Sequence, residues 1–290
     1  MKHVPVLLGP ALDFLAIRSD GIYVDATFGA GGHSRAILER LSTGRLIALD
    51  ADPAAADRAR ALADPRFTFV HANFRELPEA LDRCEVGSID GLLFDLGISS
   101  MQLDDPERGF TLGKPAALDM RMNPYAGRTA YDILATASER ELADIFFSYG
   151  EERAARRIAR AIVERRASGA LPQTTTEFAA LVAGILHRPG HRERIHPATR
   201  VFQALRIAVN DELESLRDGL HAGIGRLREA GRIVAISFHS LEDRIVKQTF
   251  RGDERLEILT RKPLVPTEHE ITQNIRARSA KLRAAQRKAS

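Results

Sequence analysis

Over its first hundred residues the chain alternates short apolar runs with stretches of helical spacing. Ile22-Tyr23-Val24 reads as a buried strand, followed by a loop at Gly29-Ala30-Gly31-Gly32. From Ser34 to Leu41 the apolar residues Ala36, Ile37 and Leu41 recur at helical intervals. A second strand, Leu46-Ile47-Ala48-Leu49, is ended by Asp50, and Pro53 suits the first turn of a helix running to Leu62. Phe67–Val70 and Leu92–Phe94 are further strands. The markers Asp25, Asp50, Asn73 and Asp95 lie 25, 23 and 22 residues apart, the beat of successive β–loop–α units. Right-handed crossovers place such strands in one parallel sheet, and ligands of such sheets bind beyond the strands' carboxyl ends, where all four markers fall.

The beat stops near Asp104-Asp105-Pro106. A loop-rich stretch with Gly109, Gly113, Pro115, Asn123-Pro124 and Gly127 gives way to helices. Ser138 is placed to cap a helix ending near Tyr149-Gly150, and Thr174 with Glu177 has capping-box spacing for another ending near His187. Pro197 opens a long helix carrying Phe202, Leu205, Ile207 and Leu213. After Gly231 the run Ile233–Ile236 is a strand again. The expectation is an α/β domain split into residues 1–104 and 201–290, with a mostly helical substrate-recognition domain inserted at 105–200.

Composition excludes several classes. The 290 residues are 44% hydrophobic with no apolar run of membrane-spanning length, and the stretch Met1–Leu8 is too short for a signal peptide. One cysteine, Cys84, rules out a disulfide framework and a multi-cysteine zinc site, so a cytoplasmic protein is expected. The net charge of +3 is an average over unequal segments. Residues 271–290 carry Arg276, Arg278, Lys281, Arg283, Arg287 and Lys288 and no acid; without those six charges the body stands at −3. Further arginines gather at 153, 156, 157 and 160, spaced for one helix face, and at 188, 192, 194 and 200. A mildly acidic body with basic patches suits a polyanion such as RNA; a solvated tail is the plainer reading.

The segment Val24-Asp25-Ala26-Thr27-Phe28-Gly29-Ala30-Gly31-Gly32-His33 carries the most chemistry. Glycines let a ligand approach backbone amides without a Cβ in the way. Asp50, nineteen residues beyond Gly31 at a second strand end, is placed to accept both hydroxyls of a ribose. Ser34 occupies the third glycine position of a dinucleotide fingerprint, and no Lys-Ser/Thr follows as in an ATP-binding loop. A nucleoside cofactor fits, whether nicotinamide dinucleotide or S-adenosylmethionine.

Asp25-Ala26-Thr27-Phe28-Gly29-Ala30-Gly31-Gly32-His33-Ser34 resembles the first motif of the bacterial RsmH (MraW) family. The likeness continues through His3–Leu8, Asp95-Leu96-Gly97-Ile98-Ser99-Ser100-Met101-Gln102-Leu103-Asp104, Glu107–Phe110 and Leu118–Met122. It closes with His196–Arg200, Ser237–Arg244 and Arg276–Arg283. The tail departs from the family form in having Ile275 where proline is usual. The resemblance implies a class I S-adenosylmethionine-dependent methyltransferase with a Rossmann-like sheet, acting on N4 of a cytidine of 16S rRNA in the small ribosomal subunit. It implies cofactor contacts at Gly31, Gly32, His33, Asp50, Phe74, Asp95 and Gln102, with Phe74 against the adenine face.

The two routes to a methylated cytosine differ in what they require. Methylation at C5 needs a nucleophilic thiol, and Cys84 lies before its strand, not at the carboxyl end. Methylation of the exocyclic amine needs acceptors for its N–H groups and orientation toward the methyl. Asp95 is the expected acceptor, or else a ligand of the methionine amine. His239 is placed to orient the base or relay a proton, with a hydrogen-bonded structural role as the alternative. Arg276, Arg278, Lys281 and Arg283 are the expected RNA contacts. His187, His191 and His196 lack carboxylate or cysteine companions, so no metal is expected. Competing readings are a nicotinamide-dependent dehydrogenase and a non-catalytic RNA-binding assembly factor.

Overall fold

A computed structural model describes residues 5–187 and 195–289. Arg188, His191, Arg192 and Arg194 lie outside them, as do His3 and Val4. The described residues form two compact units, one up to Gly97 and from Leu213 onward, the other Ile98–Glu212. The chain thus leaves the first unit earlier, and returns later, than the sequence expectation of 104 and 201.

The first unit is built on a sheet of seven strands. These are β1 (Ile22–Asp25), β2 (Arg45–Asp50), β3 (Phe67–His71), β4 (Ile89–Asp95), β5 (Leu227–Ser237), β6 (Leu256–Ile258) and β7 (Lys281–Arg287). Their order is β3-β2-β1-β4-β5-β7-β6. β1 to β5 are mutually parallel, and β7 runs antiparallel to both β5 and β6. The central strands are buried on both faces, which is why they read as unbroken apolar runs. Val6, Leu12, Leu15, Leu38, Leu41, Leu282 and Ala284 are among the residues of one core layer.

β5 begins six residues before the expected Ile233. Leu227 pairs with Ile89, and pairing resumes only at Arg232 opposite Gly91, so residues 228–231 bulge out of the ladder. The basic tail departs most from expectation. It is a strand inside the sheet, not a solvated arm, with Leu282, Ala284 and Ala285 fully buried.

In the second unit, helices Ala130–Thr136, Glu139–Gly150, Ala155–Ala167, Thr175–Leu186 and Thr199–Asn210 share one apolar core. Ser138 caps the second of these, and Thr174 with Glu177 forms a capping box on the fourth. The long helix expected from Pro197 is broken at Asp211, whose φ of 49° is left-handed, and a separate helix starts at Glu212. The four arginines of the 153–160 stripe are exposed. Arg157 bonds the Ile185 carbonyl and Arg160 approaches Glu139.

Candidate cofactor and methyl-transfer site

Asp25, Asp50 and Asp95 are the last residues of β1, β2 and β4. β1 lies between the other two strands, so parallel register sets the three carboxylates along one edge of the sheet. The loop and helix that follow β1 reach all three, through Gly29 to Asp50, Thr27 and Ser34 to Asp25, and Thr27 to the Asp95 backbone.

Asp50 is wrapped by backbone amides. The Gly29 N–H donates to its Oδ2 at 2.7 Å and the Asp52 N–H to its Oδ1 at 2.8 Å. Arg58 Nε donates to the Gly29 carbonyl at 2.9 Å, tying the glycine loop to the next helix. Burial dominates the carboxyl and pushes its pKa up to about 6, against the two amides and Arg58, with Asp52 adding to the rise. Each oxygen keeps acceptor capacity beyond its amide, which is what a ribose diol needs.

The glycine loop is as tight as its sequence suggests. Gly31 has φ of +76°, and a Cβ there would stand 2.7 Å from the Phe28 ring. A Cβ on Gly32 would run into the ring of Pro5. The segment Pro5–Val6 therefore lies directly against the glycine turn.

Below that turn is a buried polar cluster. Ser34 Oγ donates to Asp25 Oδ2 at 2.7 Å and the Thr27 N–H reaches Asp25 Oδ1. Burial raises the Asp25 pKa, against His33, Ser34 and the Thr27 amide. His33, 5% exposed, spans two partners: Nε2 lies 3.2 Å from the Val6 carbonyl and Nδ1 lies 3.4 Å from Asp95 Oδ2. Burial is the largest single influence on His33 and opposes its charge. Asp95, Asp25 and the Val6 carbonyl together outweigh it, so its pKa is raised. The Asp95 N–H donates to Thr27 Oγ1 at 2.6 Å, while Asp95 Oδ1 is buried without a hydrogen-bond partner.

Phe74 opens the turn after β3. It is half-buried, set edge-on to Phe94 with ring centroids 5.6 Å apart and backed by Gly219, so it is not a core aromatic. Six of the seven expected cofactor residues thus belong to the first unit: Gly31, Gly32, His33, Asp50, Phe74 and Asp95. Gln102 belongs to the second unit, where its side chain accepts from the Ser99 N–H in a capping box. Thr27, Asp52 and Arg58 were not anticipated. Asp52 and Arg58 had a local signal, since Asp50-Ala51-Asp52-Pro53 is an Asx-turn sequence leading into the helix that carries Arg58. Thr27 had none, because its partner is 68 residues away.

His239 caps helix Ser240–Gly252, its Nδ1 accepting from the Glu242 N–H at 3.4 Å. Its Nε2 is 3.1 Å from Glu242 Oε1 but out of line for a hydrogen bond. The histidine thus caps its helix through Nδ1, while Nε2 is buried without a hydrogen-bond partner. Arg283 is also engaged structurally: it pairs with Asp243 at 2.7 Å and is 7% exposed, so its charge is spent inside the fold. Lys281 approaches the same carboxylate at 3.7 Å, whereas Arg278 is exposed. Cys84 sits far from this chemistry, at the C-cap of helix Leu77–Arg83, with its carbonyl bonded by Arg45 at the opposite edge of the sheet. Among the described residues no group of histidine, cysteine and carboxylates could hold a metal ion, and no helix is long and apolar enough to cross a membrane.

The strand order, the single reversed strand β7 and the acidic edge beside a glycine turn define a class I methyltransferase fold. Residues 1–288 match the MraW methylase family, and the chain belongs to it; its cofactor is S-adenosylmethionine. Curated relatives named ribosomal RNA small subunit methyltransferase H include those of Thermomicrobium roseum, 52% identical over 98% of this chain and 93% of the relative, and Nitrosomonas europaea, 48% identical over 98% and 97%. Among solved structures, an rRNA methylase from Streptococcus thermophilus aligns with a TM-score of 0.46 at 13% identity, covering 100% of this chain and 99% of that one. The residues present suit the cofactor. Asp50 offers a diol acceptor, and Asp95 Oδ1 is a buried acceptor without a partner.

Proposed function

We propose that the chain methylates the exocyclic N4 of a cytidine in 16S rRNA, in the decoding region of the small ribosomal subunit. The observation that carries this reading is Asp95. It is a strand-end carboxylate with one oxygen beside His33 and the other without a partner. The cytosine amine donates its lone pair into the ring, so its nitrogen is a weak nucleophile until its N–H bonds are held. Asp95 Oδ1 supplies an acceptor for one of them, which favours the pyramidal, reactive nitrogen.

When bound, the cofactor supplies an electrophilic methyl on a sulfonium. Asp50 holds the ribose, Phe74 lies against the adenine, and Gly31-Gly32 brings backbone close to the methionine portion. The new bond forms between N4 and the methyl carbon as the carbon–sulfur bond breaks, and N4 then loses one proton toward Asp95 or water. No thiol takes part, in keeping with Cys84, whose pKa burial raises and whose place is at the far edge of the sheet.

The substrate contacts proposed are Arg276 and Arg278, in the 3-10 turn that enters β7, with Lys281 behind them. Lys281 pairs in register with Ser237, so this basic turn meets the sheet at the carboxyl end of β5. His239 serves there by holding its loop as a cap. The helical insertion, with its exposed arginine stripe, is proposed to recognise the surrounding RNA. The test is methyl transfer to unmodified small subunits followed by nucleoside mass analysis. N4-methylcytidine is expected, and any other product refutes the assignment. Parallel titrations with S-adenosylhomocysteine and nicotinamide dinucleotide should show binding of the former alone.

A further inference from the structure

We infer that His33 is a positioning residue which, as an imidazolium, clamps the Pro5–Val6 segment to Asp95 and fixes which carboxylate oxygen serves the reaction. This rests on the methyl-transfer reading above and adds the group that orients its acceptor.

The argument is one of proton accounting. A carbonyl oxygen only accepts, so the Val6 contact requires a hydrogen on Nε2. A neutral ring would then have a bare Nδ1, whose lone pair would face Asp95 Oδ2 across 3.4 Å. Two acceptors facing one another in a buried site repel. A second proton on Nδ1 turns that repulsion into a charge-assisted contact. The groups facing the ring are Asp95 from the end of β4, Asp25 from the end of β1 and the Val6 carbonyl from the N-terminal segment, and all three favour the cation.

The consequence for Asp95 is directional. Oδ2 is taken by His33 and the backbone N–H by Thr27 Oγ1, which leaves Oδ1 as the carboxylate's unspent acceptor. Asp95 then serves through Oδ1 as the acceptor that holds the amine before transfer.

The test combines a charge-state measurement with kinetics. Nitrogen-15 chemical shifts of the His33 ring, recorded with S-adenosylhomocysteine bound, should show both nitrogens protonated at pH 7, and Asp95→Asn should abolish that signature. The wild-type kcat should fall on the alkaline side as Nδ1 loses its proton. His33→Gln keeps an N–H donor and does not titrate, so it should lose that limb and lower kcat by about tenfold, against about a hundredfold for His33→Ala. Its affinity for S-adenosylhomocysteine should stay within about threefold of wild type, because the backbone approach at Gly31-Gly32 is retained. A neutral His33 ring at pH 7, or an alkaline limb that persists in His33→Gln, overturns the proposal. So does a variant that loses cofactor affinity while kcat holds. Absence of N4-methylcytidine from the wild-type reaction would refute the function instead, and the ring shifts would still decide the pairing.

Discussion

Strand β4 carries one aspartate near each end, and the two are opposites. Asp90, at the amino end, is saturated: Arg18 reaches Oδ1 at 2.6 Å, and the Ile22 N–H and Arg228 reach Oδ2 at 2.7 and 3.1 Å. Asp95, five residues on, has a buried oxygen with no partner and one long contact to a histidine. A carboxylate with all its bonds made holds the fold together. A buried one left short of a bond is retained at a cost to stability, which the proposed role of Asp95 in methyl transfer would account for.

The sharpest way to break this contrast is at Asp95. Asp95→Ala should lower kcat by about a thousandfold, on the order of 4 kcal/mol of transition-state stabilisation. Its unfolding free energy should fall by about 1 to 3 kcal/mol, because Oδ1 makes no bond in the fold and the loss is confined to the 3.4 Å contact of Oδ2 with His33. Denaturant melts alongside single-turnover rates would check both. A large loss of stability with activity intact would exchange the roles given to the two aspartates.

Asp50 tests the same edge through pH. Its folded pKa of about 6 lies above the ordinary aspartate value of 3.8, so between those values the folded state binds more protons than the unfolded one. Stability therefore falls as pH rises through that window, by roughly 3 kcal/mol for a shift of about two units. Asp50→Asn should flatten that part of the stability–pH curve. Ribose hydroxyls bind the ionised form, so the Kd for S-adenosylhomocysteine should rise up to about tenfold for each pH unit below 6. A flat binding profile from pH 5 to 7 would remove Asp50 from the ribose.

At the other end of β4, Asp90→Ala should cost about 2 kcal/mol. Its arginines are well exposed, so most of that loss comes from the Ile22 amide left without an acceptor. The kcat of the folded fraction should be unchanged within about twofold.

The legibility of the sequence follows the same division. β1, β2 and β4 and the carboxylates that end them were readable because these strands are largely buried and the chain marks each turn with a polar residue. β7 was not. Lys281-Leu282-Arg283-Ala284-Ala285-Gln286-Arg287 has weak strand propensity and reads as a charged tail, and only its neighbours β5 and β6 make it a strand. The pairing of Arg283 left no local signal either, since its partner Asp243 lies 40 residues away. The glycine turn and the strand-end Asp50 it meets were legible, but the bridge from Val6 through His33 to Asp95 joins three distant segments and left no local pattern.

The smallest expected effect divides the basic tail by the same rule that divides the two aspartates. Removing residues 271–290 would take out β7 and unfold the sheet, so it cannot report on RNA binding. Point substitutions can. Arg276→Gln with Arg278→Gln should leave the fold intact and weaken subunit or rRNA binding. The log–log salt slope should drop by about 1.4, at roughly 0.7 per phosphate contact on single-stranded RNA. Arg283→Gln should do the reverse, lowering stability by stranding Asp243 while the slope holds. An unchanged slope in the double variant would show that the arginines of the 3-10 turn do not meet phosphate. A changed slope in Arg283→Gln would return that buried arginine to the RNA.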